Sequence, residues 1–594
     1  MTSTRASKSD PIKKDQPPLL AVHNEDIALA FDEIADLLAL TGENPFRIRA
    51  YRRAAQVVRS LPQELAPRIA AGFDPDLLPG IGADLANKIR ELVSSGHFLK
   101  LDQLRRSVPA GLRELLALPG IGPQRAHALH TALNIQNLSD LRHALASHQV
   151  RKVAGFGAKS EARLQQALDQ TTLRPSRIPR HIARQYGEAI THYLTSLPGV
   201  TQVTLAGSYR RGCETVGDLD VVMCAGRELD LSSALSRYSE TSSSLVTGPT
   251  RCTILLHCGL QVDIRLVPPE SYGAALYYFT GSKAHNIHVR RLASSSGLKI
   301  NEYGVYRGRT RIAGDSEISV FRAVGLPFIE PELREDRGEI AAGLAGNLPA
   351  LIERSQLLGD LHVHTGRTDG TATIDAMSEA AQRAGLQYIA ITDHAKHIGL
   401  LHGLDATALT RQIDEIDAYN ASQNQLTVLK GIEVDILADG TLSLPDHILK
   451  QLDLVVAAVH DHFDLPRRKQ TDRLLRMLDN RYISILAHPS TRLVTQRNGI
   501  DCNWNELFLR AAQRPCYLEL NCQPSRLDLD DIQVREAAAQ GILISIASDA
   551  HGITDFANLD YGLIQGRRGW LTSTQVLNTR PLTQLRKLLR NTFL

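Results

Sequence analysis

Residues 207–223 read GSYRRGCETVGDLDVVM. Gly207 and Ser208 close a β-type run, TQVTLAG, and Asp218 and Asp220 follow after a short polar connection. Residues i and i+2 of a strand share a face, so these two carboxylates converge. A second run, QVDIRLV (261–267), places Asp263 among apolar neighbours. A charge there is costly unless it is paired or metal-bound. Three clustered carboxylates suit a hard, oxygen-seeking ion, Mg²⁺ or in its place Mn²⁺. Two such ions can activate a hydroxyl and carry leaving-group charge in an in-line displacement at phosphorus. Ser208, Arg211 and the N–H groups around them are placed to hold a triphosphate. The competing reading, aspartates in turns and at strand edges, fits poorly with two spaced motifs that each sit in a strand context.

Working outward, DLDVVM, TILLHC and QVDIRLV are short β-rich runs that predict a sheet. Upstream, from Asn24, apolar residues recur at helical spacing (Ile27, Leu29, Ala30, Ile34, Leu37, Leu38), and short helices continue to about Gln170. Helical character returns over about 271–330, and PELREDRGEIAAGLAGNLPALIERSQ reads as a polar linker with a helix. After Gly359, β-type runs (DLHVHT, YIAITD, LVVAAVH, ISILAH, YLELN, ILISIAS) alternate with amphipathic helices, which predicts βα units in a barrel-like array.

Three helical segments share one design: LPGIGADLANKI (78–89), LPGIGPQRAHAL (118–129) and VAGFGAKSEARL (153–164). Each has Gly-apolar-Gly before a helix start, a tight turn that presents the first backbone N–H groups of the helix to an anion. The turns resemble helix-hairpin-helix motifs, which grip a DNA backbone without reading sequence. Gly80, Gly82, Gly120 and Gly122 form the first two; the third could instead be a packing turn. The chain's net charge of +3 says little, but residues 101–200 carry 13 Lys and Arg against 6 Asp and Glu. A segment of about +7 predicts salt-sensitive binding to a polyanion, unless it is only a solvated basic face. The seven cysteines have no paired spacing, which fits reduced thiols and a cytoplasmic, nucleoid-associated protein. No apolar run is long enough to span a bilayer, and no signal-peptide core opens the chain.

Together, GSYRRG…GDLDVV, VDIRLVP and YFTGSKAHNIHVR resemble the DNA polymerase beta family, family X, over about 24–335. The resemblance implies that Asp218, Asp220 and Asp263 are the metal-binding catalytic carboxylates and that Gly207, Ser208, Arg211 and Gly217 meet the triphosphate. It places Tyr278 and Phe279 beside the incoming sugar, Asn286 at the nascent base pair and Arg290 on the template strand. Tyr278-Phe279 favours a template-dependent enzyme using deoxynucleoside triphosphates. Lys283 stands where polymerase beta has an acid. A nucleotidyltransferase for a small molecule is the alternative, and the helix-hairpin-helix copies argue against it. Lys88 matches the lysine that forms a Schiff base with 5′-deoxyribose phosphate, with Tyr51 and Lys100 matching the same pocket. Asp84 and Arg47 replace lysines of that pattern, so a solvated lysine on a DNA-facing helix competes with a lyase.

In the last third, histidines and acids end successive β-runs: His362, His364, Asp369, His394, Glu433, His460, His488, Asp549 and His551. Ends of parallel strands converge on one rim of a barrel. Imidazole mixed with carboxylate suits Mn²⁺, Zn²⁺ or Fe²⁺, up to three ions, which would activate water against a phosphodiester. Over about 358–555 this set resembles the PHP family, named for polymerases and histidinol phosphatase. Fused to a family X polymerase, it implies a 3′–5′ exonuclease and, as a further activity, incision at abasic sites. A relic or a purely structural metal site is the alternative. His397, His402 and His462 read as outer or surface residues.

The expected fold class is multidomain: an α-helical helix-hairpin-helix region, an α+β nucleotidyltransferase palm with a helical subdomain, and a C-terminal distorted α/β barrel. The expected boundaries are a disordered tail (1–22), a lyase-like domain (23–100), a helix-hairpin-helix subdomain (101–175), the palm (176–270), a nascent-pair subdomain (271–335), a linker (336–356), the PHP domain (357–575) and a C-terminal tail (576–594). The expected partners are gapped or primer-template DNA and deoxynucleoside triphosphates, with no membrane, and the chain acting as a monomer. Two functional readings follow: both sites active, or one half serving as a DNA-binding scaffold.

Overall fold

A computed structural model describes residues 22–594 apart from 42, 62, 96–97, 109–111, 113–114, 117, 119–120, 172–176, 227, 397–402, 423–424 and 594. The expected tail before residue 22, Gly120, His397 and His402 therefore lie outside the described residues. The chain divides into two compact units, 1–174 with 237–241, and 175–236 with 242–594.

The first unit is helical, from Asn24–Leu40 to Ala158–Thr171, as its sequence periodicity predicts. The expected boundary at residue 100 does not divide its core. A single buried cluster runs from Val22 through Phe31, Tyr51 and Ile89 to Leu129, Val150 and Leu168. The three Gly-apolar-Gly turns have the same hydrogen bonding. Ile81, Ile121 and Phe156 donate backbone N–H to the carbonyls of Leu78, Leu118 and Val153 at 3.1, 3.0 and 3.0 Å. Ala86, Ala126 and Glu161 then donate to the carbonyls of Gly82, Gly122 and Gly157 at 3.0, 2.9 and 2.9 Å, opening each helix in the same way. The apolar turn residues are buried, while Gly82, Gly122 and Gly157 are exposed. The third copy thus has the geometry of the first two.

The second unit begins with a five-stranded sheet in the spatial order Val200–Leu205, Asp218–Ala225, Gln261–Leu266, Arg251–Leu256, Thr241–Thr247. Asp218–Ala225 and Gln261–Leu266 run parallel, with Leu219 opposite Val262 and Asp220 opposite Asp263. Inward-facing Leu219, Val221, Val262 and Ile264 are fully buried, which fixes that register. Thr241–Thr247 escaped the sequence reading because it is polar and largely exposed, with no alternation to see.

After the sheet come helices Tyr272–Thr280 and Lys283–Ser295 and helix Glu317–Ala323. Between them, the expectation of a helical subdomain over 271–330 is corrected. Leu298–Asn301, Gly304–Arg307 and Thr310–Ala313 form a three-stranded antiparallel sheet. Strands of four residues joined by two-residue turns are too short to display a period. The segment expected as a linker is packed. Ile340 and Leu351 join the core of this subdomain, and fully buried Glu339 accepts a 2.7 Å hydrogen bond from His285.

From Gly359 on, all strands run parallel, in sheets of three (Gly359–Val363, Tyr388–Ile391, Thr427–Lys430) and five (Glu433–Asp435, Val456–Ala458, Ile485–Leu486, Tyr517–Asn521, Ile544–Ala547). Parallel bridges His394–Glu433 and Val363–Ala550 join the two sheets at both edges and close them into a distorted barrel. Residues 576–594, expected as a tail, belong to this barrel. Helix Leu582–Thr592 buries Leu585 and Leu589 among Leu361, Tyr388, Leu429, Val456 and Tyr517. Tyr388 and Tyr517 hydroxyls donate to the carbonyls of Arg580 and Leu588 at 2.9 and 3.0 Å. The apolar spacing of LTQLRKLLR was legible in sequence as an amphipathic helix but said nothing about its partner. Leu585→Ala should lower the barrel's stability by ~2–5 kcal/mol, the cost of a large-to-small change in a packed core, read as a shift in its denaturant midpoint.

Candidate active sites

The first site is an open cleft of about 500 Å³. Its walls include Gly207, Ser208, Arg211, Asp218, Asp220, Tyr278, Phe279, Asn286 and Arg290, all singled out from sequence. Arg177, Gly281 and Lys283 complete it. Gly207 has φ +60°, and a Cβ there would overlap the Asp220 carboxylate, so only glycine lets the turn approach the acid so closely. Asp263 lies across the parallel register from Asp220. It accepts hydrogen bonds from Thr253 Oγ1 and Gln261 Nε2, each at 2.6 Å, which orient it towards its neighbours. Gly217 does not line the cleft but precedes Asp218, with Arg177 against it.

The electrostatics ask for a cation. Burial, then repulsion from Asp218 and Asp263, pushes Asp220 up to about 7, despite Arg211 and Arg265. Burial, then Asp263, raises Asp218 in the same way, with Arg177 opposing. A divalent ion removes this conflict, so the donor set fits the metal expected there. Tyr278 and Phe279 stand edge to face at 5.3 Å, and Arg265 lies 5.0 Å over the Phe279 ring. Asn286 donates to the Tyr278 carbonyl at 2.7 Å, while its amide oxygen has no hydrogen bond among the described residues. Arg177 was missed because its link to the site runs through Thr215, whose hydroxyl and carbonyl it bonds.

The second site lies where the barrel strands end. Glu433 is its hub. Its oxygens stand 3.5, 3.6, 2.8, 3.3 and 3.1 Å from nitrogens of His362, His364, His394, His460 and His488. Asp549 lies 3.2 Å from His364, and Asp369 lies 3.3 and 3.2 Å from His394 and His551. Donor atoms fall into three groups compact enough for an ion each: His364, Asp369, His394 and His551; His362, His364 and Asp549; His394, Glu433 and His460. His488 is outside these groups but bonds Glu433, and its ring lies tilted at 52° to that of His460, 5.4 Å away. His362 Nε2, both His364 nitrogens and His488 Nδ1 are buried without a hydrogen bond among the described residues. Orphaned buried nitrogens facing carboxylates are what a metal cluster needs, so the residues fit the group.

Burial opposes charge on these rings, yet the acids outweigh it: Glu433 and Asp369 push His394 up to about 11, and His460 and His551 are pushed up to about 9. Burial and cationic neighbours drive His364 the other way. Outside the expected ligands, Glu519 holds His362 Nδ1 at 2.7 Å and Asp435 holds His460 Nδ1 at 2.7 Å. Such carboxylates fix ring orientation and tautomer. They were missed because each lies inside an apolar strand run, YLELN or IEVDI, with no spacing to mark it. His462 is half-exposed and pairs with Asp461 at 3.1 Å, away from the cluster's acids.

Family models match the chain along most of its length: a helix-hairpin-helix domain (22–98), a SAM-like helix-hairpin-helix tandem (112–170), the DNA polymerase beta palm (177–254) and thumb (275–335), and a PHP domain (360–503). The DNA polymerase/3′-5′ exonuclease PolX of Bacillus subtilis (strain 168) is 35% identical over 573 residues, 96% of this chain and all of the relative. The chain belongs to the PolX family. The two halves also have separate relatives. DNA polymerase lambda of Rattus norvegicus is 27% identical over 43% of this chain and 48% of its own. A probable phosphatase of Thermoanaerobacter sp. (strain X514) is 28% identical over 38% of this chain and 91% of its own.

In this PolX-family chain Lys88 is partly exposed. The side chain is 14% exposed, ion-paired to Asp84 and 5.7 Å over the Tyr51 ring. Cys213, Cys224, Cys252, Cys502, Cys516 and Cys522 form no disulfide among the described residues, and no described helix is long and apolar enough to cross a membrane.

Two outcomes test the second site. Glu433→Gln should lose most bound divalent ion by elemental analysis, and Glu519→Gln should weaken binding roughly 10–100-fold. Because ligands must shed protons to bind metal, affinity should rise as pH goes from about 6 towards 9, where His460 and His551 give theirs up. A flat profile in titration calorimetry would contradict this.

Proposed function

We propose that both halves are catalytic and act on one DNA end: the palm extends a primer to fill a short gap during repair, and the barrel trims the 3′ end. The observation that carries this is the pairing of Asp220 with Asp263 across a parallel register, at a cleft whose walls also hold Ser208 and Arg211. The 35% identity to a DNA polymerase/3′-5′ exonuclease over nearly the whole chain supports it.

In the palm, Asp218, Asp220 and Asp263 would hold Mg²⁺ or Mn²⁺, which would supply activation of the primer hydroxyl and charge stabilisation on the leaving group. Ser208 and Arg211 hold the triphosphate of a deoxynucleotide, with the Gly217 turn setting Asp218 in place. The Tyr278-Phe279 edge-to-face pair gives the sugar a shaped wall. The Asn286 amide oxygen, lacking a partner, is available to a base edge, and Arg290 to the template. The exposed N–H groups after Gly82, Gly122 and Gly157 receive backbone phosphates.

In the barrel, the nine side chains would hold up to three ions of Mn²⁺, Zn²⁺ or Fe²⁺, which would supply Lewis acidity at the phosphodiester. Glu433 lies within reach of five of the imidazoles, and Glu519 and Asp435 keep His362 and His460 aligned. Solvent reaches the site on the side of His551, Asp369 and His460, which are partly exposed, and a phosphodiester enters there. The same site would serve incision at abasic positions. Lyase chemistry at Lys88 needs a neutral amine, and its ion pair with Asp84 works against that. We further propose a monomer working on nucleoid DNA in the cytoplasm.

The test is primer length on a short-gapped duplex with a 5′-phosphate and Mn²⁺. Wild type should fill the gap with nucleotides present and shorten the primer without them. Asp218→Asn with Asp220→Asn should abolish extension by at least ~10³-fold, in the range of lost electrostatic stabilisation, and leave shortening intact. His362→Ala with His364→Ala should do the reverse. If one pair leaves all chemistry unchanged, that half is a scaffold.

A further inference from the structure

Arg211 does not stand alone in the nucleotide cleft. Its Nε donates to Glu335 Oε1 at 3.0 Å and its Nη1 to the Thr280 carbonyl at 2.6 Å. Nη2 reaches only Cys213 Sγ, at 3.9 Å, among the described residues. The same Glu335 oxygen accepts from Arg568 Nη1 at 2.9 Å, and that nitrogen also donates to the Arg211 carbonyl at 2.7 Å. Arg568 Nη2 lies 2.8 Å from Asp531 Oδ2, which lies 2.8 Å from Arg337 Nη1. Arg211, Glu335, Arg568, Asp531 and Arg337 therefore form a chain of alternating charge. It starts in the palm, passes the end of the nascent-pair subdomain and includes two barrel helices, Asp531–Ala539 and Leu559–Arg568.

This chain is desolvated. Side-chain exposure is 14% for Arg211, 17% for Glu335 and 7% for Arg568. Burial disfavours the Glu335 carboxylate, but Arg211 and Arg568 together outweigh it and hold it below the usual range. The seam is also tight. Gly212, just after Arg211, has φ +71°, and a Cβ there would overlap the Ile564 side chain on the barrel helix that carries Arg568.

An incoming triphosphate competes with Glu335 for Arg211. A buried carboxylate that loses its only cation resists that exchange strongly. Here Glu335 keeps a second cation that does not face the cleft. We propose that Arg568, from the exonuclease half, is a positioning residue for the polymerase: it compensates Glu335 when Arg211 turns to the triphosphate, and anchors the Arg211 backbone meanwhile. This rests on the reading of Arg211 as a triphosphate contact. It gives the barrel a part in nucleotide affinity that is separate from its own chemistry.

Single-nucleotide insertion kinetics on a gapped duplex, with the full chain, test the idea. Arg568→Ala should raise KM for the nucleotide roughly tenfold, within the usual range of coupling between sites, with kcat much less affected. Arg568→Lys should fall between. Glu335→Gln should show a KM no higher than wild type, and adding it to Arg568→Ala should restore the KM, because a neutral amide no longer holds Arg211. Primer shortening and the melting temperature of each variant report folding. A wild-type KM in Arg568→Ala, or a raised KM that Glu335→Gln fails to restore, would mean Arg568 is only a staple between domains. Should Arg568→Ala not fold, a raised KM in Glu335→Gln alone overturns the proposal. An unchanged KM in Arg211→Ala would sink the reading of Arg211 and the relay with it. A raised KM there beside a wild-type KM in Arg568→Ala sinks the relay alone.

Discussion

Asp220 lies half-buried beside Asp218 and directly across the sheet from Asp263, and like charge so crowded persists only where a cation shares it. The surrounding structure serves this arrangement. The parallel register sets the facing pair, Gly207 admits the turn against the acid, and Thr253 and Gln261 orient Asp263 without neutralising it. Arg211 and Arg265 lower the repulsion but do not remove it. The protein leaves a deficit that a divalent ion fills.

The barrel solves the same problem with other residues. Glu433 stands within reach of five imidazoles, and buried ring nitrogens are left without hydrogen bonds. Of the rings, His362 and His460 are each held by an outer carboxylate, and His551 by the backbone carbonyl of Asp549. A core of this kind would be a poor structural device, since apolar packing of equal volume costs less. It makes sense as a site held ready for metal. The two sites differ in donor chemistry, oxygen alone in the palm against nitrogen with oxygen in the barrel.

The palm and the barrel are not independent beads. Arg492 of the barrel pairs with Glu214 of the palm at 2.6 Å, Arg567 with Glu332 at 2.7 Å, and Arg568 with Glu335 at 2.9 Å. The segment between them carries Glu339 under His285 and apolar residues into both cores. Isolated exposed ion pairs contribute little, but Arg568 and Glu335 are largely buried, so their geometry is constrained.

The sequence by itself determined the chemistry. G-S-x9-D-x-D and the second aspartate run marked the carboxylates that the palm sheet brings together. Histidines ending successive β-runs marked the metal rim, because strand ends are where βα folds bring residues together. Three repeated turns marked the helix-hairpin-helix regions that the family models match. Strand alternation and helix period carry that information locally. What only the tertiary structure decided was what lies next to what across long separations. Examples are Glu519 and Asp435 behind the histidines, the C-terminal helix packed on the barrel, the three short strands after helix Lys283–Ser295, and Arg568 against Arg211. None of these has a period or a spacing, because each depends on packing between segments whose order in the chain says nothing about their distance in space.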